Sequence, residues 1–236
     1  MYEVEMKFRI DDIGLFERQL KERGIIFSKD AVEEVDLFYS HPQRDFNQTD
    51  ECLRVRVRKF VDGKKENFLT YKGQKIDKET KTRRELEVRI DDVETLQGIL
   101  AALGFCAVES VRKFRRSSEI MVSGSRVEIL LDFLPELSDE NKILNNNSKD
   151  SINSSKDYVN DSNDSINSSK EASDNNSGEY FVELETISLE SDLELSKRLI
   201  MDFAKELNLT KSIRASYLSL LRQKKQESIN TISRQR

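Results

Sequence analysis

Apolar and charged residues alternate along Tyr2-Glu3-Val4-Glu5-Met6-Lys7-Phe8-Arg9, which places Val4, Met6 and Phe8 on one face of a strand and Glu3, Glu5, Lys7 and Arg9 on the other. The same pattern returns at Leu53 to Arg58, where Leu53, Val55 and Val57 alternate with Arg54, Arg56 and Arg58. It returns again at Thr82 to Ile90, with Arg83, Glu85, Glu87 and Arg89 in the charged row. Shorter versions run from Val108 to Ser117, carrying Lys113 and Arg115, from Arg126 to Leu134, carrying Glu128 and Asp132, and from Tyr180 to Glu185, carrying Glu183 and Glu185. Ile25 to Tyr39 reads as a strand that enters an extended segment, and Asp62-Gly63 as the turn of a hairpin whose second strand holds Phe68 to Lys72.

Between these strands the period changes to that of a helix. Asp11-Asp12 is an N-cap for Ile13, Phe16 and Leu20, and Asp91-Asp92 for Val93, Leu96, Ile99, Leu100 and Leu103; Gly24 and Gly104 end the two segments. Two more helices are expected over Ser191 to Leu207 and Ser212 to Arg222, followed by a frayed tail. From Ser138 to Gly178 the chain is rich in Ser, Asn, Asp and Lys and repeats Asp-Ser-Ile-Asn-Ser-Ser-Lys from Asp150 and from Asp164. Such a stretch has too little apolar surface to offset its ordering entropy. The expected organisation is one domain over residues 1–223 with a disordered insertion at 138–178, and a flexible tail at 224–236.

Composition narrows the function. Charged residues are 35% of the 236 and hydrophobic ones 36%, so the fold must accommodate many charges, while a net charge of −5 gives no general affinity for nucleic acid. Two cysteines cannot make a disulfide framework, and no stretch is long and apolar enough for secretion or membrane spanning, so a cytoplasmic protein is expected. One histidine, His41, reads as a loop residue beside Pro42; it supports neither a transition-metal cluster nor a Ser-His-Asp triad. No Gly-rich phosphate loop is present.

Three like charges in a row, as at Arg54, Arg56 and Arg58, need water, an anion or opposing carboxylates. If the apolar faces pack on the helices, the charged rows converge on the concave side of a curved sheet, and closing it makes a charged lumen. Lys and Arg neutralise phosphoryl oxygens and clustered carboxylates hold a hard cation such as Mg²⁺ or Mn²⁺, so a polyanion with a divalent cation matches this lining.

The ordered set Glu3-x-Glu5-x-Lys7, Asp36-Leu37-Phe38-Tyr39, Leu53-Arg54-Val55-Arg56, Thr70-Tyr71-Lys72-Gly73, Arg83-x-Glu85-x-Glu87, Lys113-x-Arg115, Asp132, Glu183-x-Glu185 and Ser216-Tyr217 resembles the CYTH, or triphosphate tunnel metalloenzyme, family, and within it the class IV adenylate cyclases. The resemblance implies a mainly β fold with helices, an eight-stranded antiparallel barrel whose tunnel binds a triphosphate. It implies Glu3, Glu5, Asp132, Glu183 and Glu185 as ligands of Mg²⁺ or Mn²⁺. Lys7, Arg54, Arg56, Lys72, Lys113 and Arg115 would grip phosphates, and Arg83, Glu85 and Glu87 would support them. Lys7 would be the catalytic residue, positioning or deprotonating the attacking oxygen. The implied substrate is ATP, converted to cyclic AMP and pyrophosphate; the alternatives are hydrolysis of tripolyphosphate, thiamine triphosphate or a nucleoside triphosphate, and binding without turnover. No nucleic-acid or membrane partner is expected, and a homodimer is compatible with the pattern.

Overall fold

The computed structural model describes residues 1–137 and 178–234. Eight antiparallel strands close into a barrel: β1 (Tyr2–Ile10), β2 (Val32–Ser40), β3 (Cys52–Lys59), β4 (Lys65–Lys72), β5 (Arg83–Ile90), β6 (Cys106–Val122), β7 (Ser125–Leu134) and β8 (Glu179–Ser188). Around the barrel their order is β1-β5-β4-β3-β2-β6-β7-β8. The helices are α1 (Ile13–Glu22), α2 (Val93–Ala102), α3 (Leu193–Glu206) and α4 (Tyr217–Arg234). No described helix is long and apolar enough to cross a membrane.

The predicted caps form as the sequence requires. Asp12 accepts from the Leu15 amide at 2.8 Å and Asp92 from the Thr95 amide at 2.9 Å, each satisfying a donor that the first helical turn leaves open. Gly104 ends α2 with φ +86°, a conformation that costs a residue with Cβ.

Three elements differ from the sequence reading, two of them for local reasons. β2 begins only at Val32, because Ile25 turns back to bond the Leu20 carbonyl and joins the core beside α1. β6 continues past Ser117 to Val122 and returns through Ser123-Gly124, whose φ values of +48° and +84° match the twist of a tight hairpin. α4 continues to Arg234 where a frayed tail is expected after Gln223. The expected insertion lies outside the described residues, save Gly178.

The apolar rows do face the helices. Val4, Phe8, Val127, Ile129, Val182 and Leu184 pack with Phe16 and Leu20 of α1 and Ile200, Phe203 and Ala204 of α3. Leu53, Val55 and Tyr39 pack with Leu100 of α2. A third cluster joins Val111, Leu134 and Phe181, which share the rows of Lys113, Asp132 and Glu183, to Tyr217 and Leu221, so the start of α4 packs against the lumen face rather than the outer wall.

Candidate functional site

With the apolar rows outside, the opposite row of each strand enters the lumen, and it is buried as well. Glu3, Glu5, Lys7, Glu34, Asp36, Arg56, Lys113, Arg115, Asp132 and Glu183 are all buried. Taking this many charges from water is tolerable only where each finds a partner, and the pairing divides the lumen into two parts.

The first part is acidic. The β1–β8 register sets Glu5 opposite Glu185, and carboxylate oxygens of Glu3, Glu5 and Glu185 lie within 4.8 Å of one another. Lys72 Nζ meets Glu3 at 2.5 Å and Glu85 at 3.1 Å, and Lys81 Nζ meets Glu5 at 2.5 Å. Burial and the neighbouring Glu3 charge raise the Glu185 carboxyl well above its usual range, and burial raises that of Glu3. Three hard oxygen donors that repel one another fit a divalent cation such as Mg²⁺ or Mn²⁺, whose charge relieves the repulsion.

The second part is a cationic belt across β3, β2, β6 and β7. Asp36 takes a two-pronged contact from Arg56 at 2.6 and 2.7 Å and a third from Arg54 at 3.1 Å. Glu34 meets Arg58 at 2.7 Å, Arg56 at 3.1 Å and Lys113 at 3.2 Å. Asp132 accepts from Arg115 at 2.6 and 2.5 Å, from Lys113 at 3.2 Å and from the Tyr217 hydroxyl at 2.8 Å. Glu183 meets Arg115 at 2.5 Å and Lys7 at 3.3 Å. Burial opposes ionisation of Glu34, Asp36 and Glu183, yet the surrounding guanidinium and ammonium groups hold all three below the carboxylate range. These carboxylates fix the fork of each arginine in place, while the buried Arg54 Nε has no hydrogen-bond partner and remains a donor for an incoming oxygen.

Lys7 stands between the two parts. Its Nζ donates to the Ala215 carbonyl at 3.1 Å and sits 3.5 Å above the centroid of the Tyr217 ring. Burial, then the neighbouring Lys81 charge, lowers its pKa to about 7, although Glu183 and Glu5 pull the other way.

The structure therefore brings Glu3, Glu5 and Glu185 together, and separately gathers Lys7, Arg54, Arg56, Lys113 and Arg115. Asp132 and Glu183 stand among the cations rather than in the carboxylate trio. Lys72 and Glu85 flank Glu3; Arg83 is opposite Glu3 in the β1–β5 register, and Glu87 accepts from the Thr70 hydroxyl at 2.8 Å, away from the trio. His41 is the loop residue expected, its Nδ1 accepting from the Gln43 amide.

The sequence reading left several lumen residues without a role. Glu34 and Asp36 were legible as a second acidic pair at i and i+2, opposite Arg58 and Arg56. Lys81 was not legible, because it lies in the aperiodic β4–β5 connection; its amide donates to the Glu5 carbonyl at 2.9 Å, and Arg214 braces the same loop through the Thr80 and Asp77 carbonyls. A cavity of about 740 Å³ opens beside the site, touching the lumen at Cys52, Arg83 and Ala215 and walled farther out by Phe38, His41 and Phe46.

Comparison with known proteins follows the same lines. The protein named "Putative adenylate cyclase MJ0240" from Methanocaldococcus jannaschii is 43% identical over 155 residues, 64% of this chain and 83% of that protein. The PH1819 protein of Pyrococcus horikoshii has a similar structure, with a TM-score of 0.66 at 31% identity over 94% of this chain and 99% of that one. A structure from Hippeastrum, described as "Putative adenylyl cyclase HpAC1" that reveals a dominant triphosphatase activity, shares the fold at a TM-score of 0.51 and 16% identity, over 94% of this chain and 95% of that one. Residues 1–217 match the CYTH domain, and the chain belongs to the CYTH family.

Proposed function

We propose that the barrel turns over a triphosphate with the aid of a divalent cation, and that the substrate is ATP, converted to cyclic AMP and pyrophosphate. The observation that carries the reading is the juxtaposition of the Glu3–Glu5–Glu185 trio with the cationic belt inside one buried lumen. Mg²⁺ or Mn²⁺ held by that trio would polarise phosphoryl oxygens and offset their charge. Lys113, Arg115, Arg54, Arg56 and Lys72 would hold the phosphate chain, with Asp132, Glu183, Glu34 and Asp36 keeping those cations in position. In the cyclase reaction the ribose 3′-oxygen bonds to the α-phosphorus as the bond from that phosphorus to the departing pyrophosphate breaks. Lys7 Nζ, with its pKa brought to about 7, would take the proton from the attacking hydroxyl.

The cavity beside Cys52 and Arg83 supports a nucleotide over inorganic tripolyphosphate, since its aromatic rim offers a surface that a bare phosphate chain would leave empty. The name of the 43%-identical relative points the same way. The second reading is hydrolysis, with water as the attacking group; the same trio, belt and lysine serve it, and the Hippeastrum protein is described as having that activity.

The test is incubation of the purified protein with ATP and with tripolyphosphate, each with Mg²⁺, Mn²⁺ or EDTA, followed by chromatography. Metal-dependent cyclic AMP and pyrophosphate establish the cyclase. Orthophosphate establishes the hydrolase, and metal-enhanced binding without product overturns both in favour of a binding module.

A further inference from the structure

Lys81 reaches Glu5 from the β4–β5 loop, and the backbone on either side of it is held. Arg214 donates to the Thr80 carbonyl at 2.7 Å and to the Asp77 carbonyl at 2.8 Å, and Lys197 of α3 meets the Asp77 carboxylate at 2.8 Å. The hydroxyls of Thr80 and Thr82, the two neighbours of Lys81, lie 2.6 Å apart, and both residues are buried. With the Lys81 amide on the Glu5 carbonyl, the main chain is fixed at this point and only the flexible stem of the side chain can turn.

The ammonium stands where the acidic trio meets the cationic belt. Its Nζ is 2.5 Å from Glu5 and 4.0 Å from Oε1 of Glu183, the oxygen that Lys7 contacts at 3.3 Å, while Arg115 holds Oε2. Glu183 is thus satisfied by other cations, and Lys81 serves Glu5. A divalent cation on Glu5 sets like charge against the ammonium in a buried site, where repulsion is weakly screened. Glu183 cannot take the displaced group without giving up Lys7 or Arg115. An entering phosphate chain can, because Glu34, Asp36, Asp132 and Glu183 already neutralise much of the belt and leave the chain's oxygens in need of donors.

We propose that Lys81 is a phosphate-binding residue held in reserve by Glu5, its ammonium passing from that carboxylate to the phosphate chain when a divalent cation occupies the trio. The inference rests on the reading of a divalent cation and a triphosphate in the lumen, and it adds an order of events: the anion gains this donor only once Glu5 has another cation. Lys81 differs in this from Lys113 and Arg115, whose carboxylate partners Asp132 and Glu183 lie outside the trio.

Titration calorimetry with imidotriphosphate, whose P–N–P bridges resist hydrolysis and which has no ribose to cyclise, tests the exchange. In saturating Mn²⁺, K81M is expected to bind it about tenfold more weakly than the wild type, the order of one charge-assisted hydrogen bond. In EDTA the same substitution is expected to cost about threefold at most, because Glu5 holds the ammonium. E5Q releases the ammonium without any metal, so in EDTA it is expected to bind about tenfold more tightly than the wild type, and E5Q/K81M to lose that gain. The E5Q and E5Q/K81M chains leave no unpaired carboxylate beside position 81 and decide the question even if K81M alone fails to fold. Equal affinities of E5Q and E5Q/K81M, of wild type and K81M in Mn²⁺, or an equal cost of K81M in EDTA with and without E5Q, which marks a charge acting only through space, would overturn the inference while leaving the triphosphate reading in place. A wild type that fails to bind imidotriphosphate in Mn²⁺ overturns both.

Discussion

Lys81 Nζ lies 2.5 Å from the Glu5 carboxylate while the Lys81 amide bonds the Glu5 carbonyl, so one loop residue is attached to the acidic trio through both side chain and backbone. The ammonium occupies the place of a neutralising cation beside Glu5. A divalent ion arriving at the trio competes with it.

Replacing Lys81 by Met removes that competitor and leaves a buried carboxylate unpaired. Loss of one partner of a buried pair costs about 3–5 kcal/mol, and the K81M variant is expected to recover much of it on addition of Mn²⁺. Thermal unfolding with and without Mn²⁺ should show a larger upward shift in Tm for K81M than for the wild type, and titration calorimetry a cation affinity raised about tenfold, as loss of one charge-assisted hydrogen bond allows. Equal shifts in the two proteins would separate Lys81 from the cation site.

Glu5→Gln keeps the size and the β1 backbone pairing but removes a negative donor from the trio. Metal-dependent turnover is expected to fall a hundredfold or more, the order that several kcal/mol of cation assistance implies (~100-fold for 2.7 kcal/mol). The unfolding transition should remain cooperative, because the apolar face of β1 is untouched. Turnover at the wild-type rate would remove Glu5 from the machinery.

Acid should weaken the protein through Asp36. Burial opposes its charge, but Arg54 and Arg56 hold its folded-state pKa below the ordinary value of 3.8. A depressed carboxylate contributes stability that is fully present above its unfolded pKa and is lost as the pH falls through the folded one. Asp36→Asn is therefore expected to be less stable at neutral pH by about 3–5 kcal/mol, and to lose less further stability than the wild type as the pH falls from neutrality to well below 3.8. Urea unfolding across that range measures both; parallel pH curves would show that Asp36 does not carry the acid sensitivity.

Tyr217 acts through a hydroxyl on Asp132 and, separately, through a ring that lies beneath Lys7 and packs edge-on against Phe181. Tyr217→Phe removes only the first, and because Asp132 retains Lys113 and Arg115 the expected loss is about 1 kcal/mol. Tyr217→Leu removes the ring as well and should cost at least ~1 kcal/mol more. Equal stability of the Phe and Leu variants, measured by urea unfolding, would show that the ring contributes nothing.

Much of this architecture is local information. Period-two alternation in β1, β3 and β5, aspartate caps before α1 and α2, and glycines after them each depend on neighbours a few residues apart, so the strands, the helices and the existence of a charged lumen were legible in the residues alone. The family resemblance added barrel closure and the candidate ligands. Tertiary structure decided the partners: Asp132 and Glu183 follow the same alternation as Glu185, and only the β6–β7 and β1–β8 registers set Asp132 against Arg115 and Glu183 against Lys7, leaving Glu185 to face Glu5. Lys81 entered the site through a loop that has no period to read. Alternation tells which side of a strand a residue occupies, but a charge pair depends on how two strands slide past each other, and that is decided when the whole barrel closes.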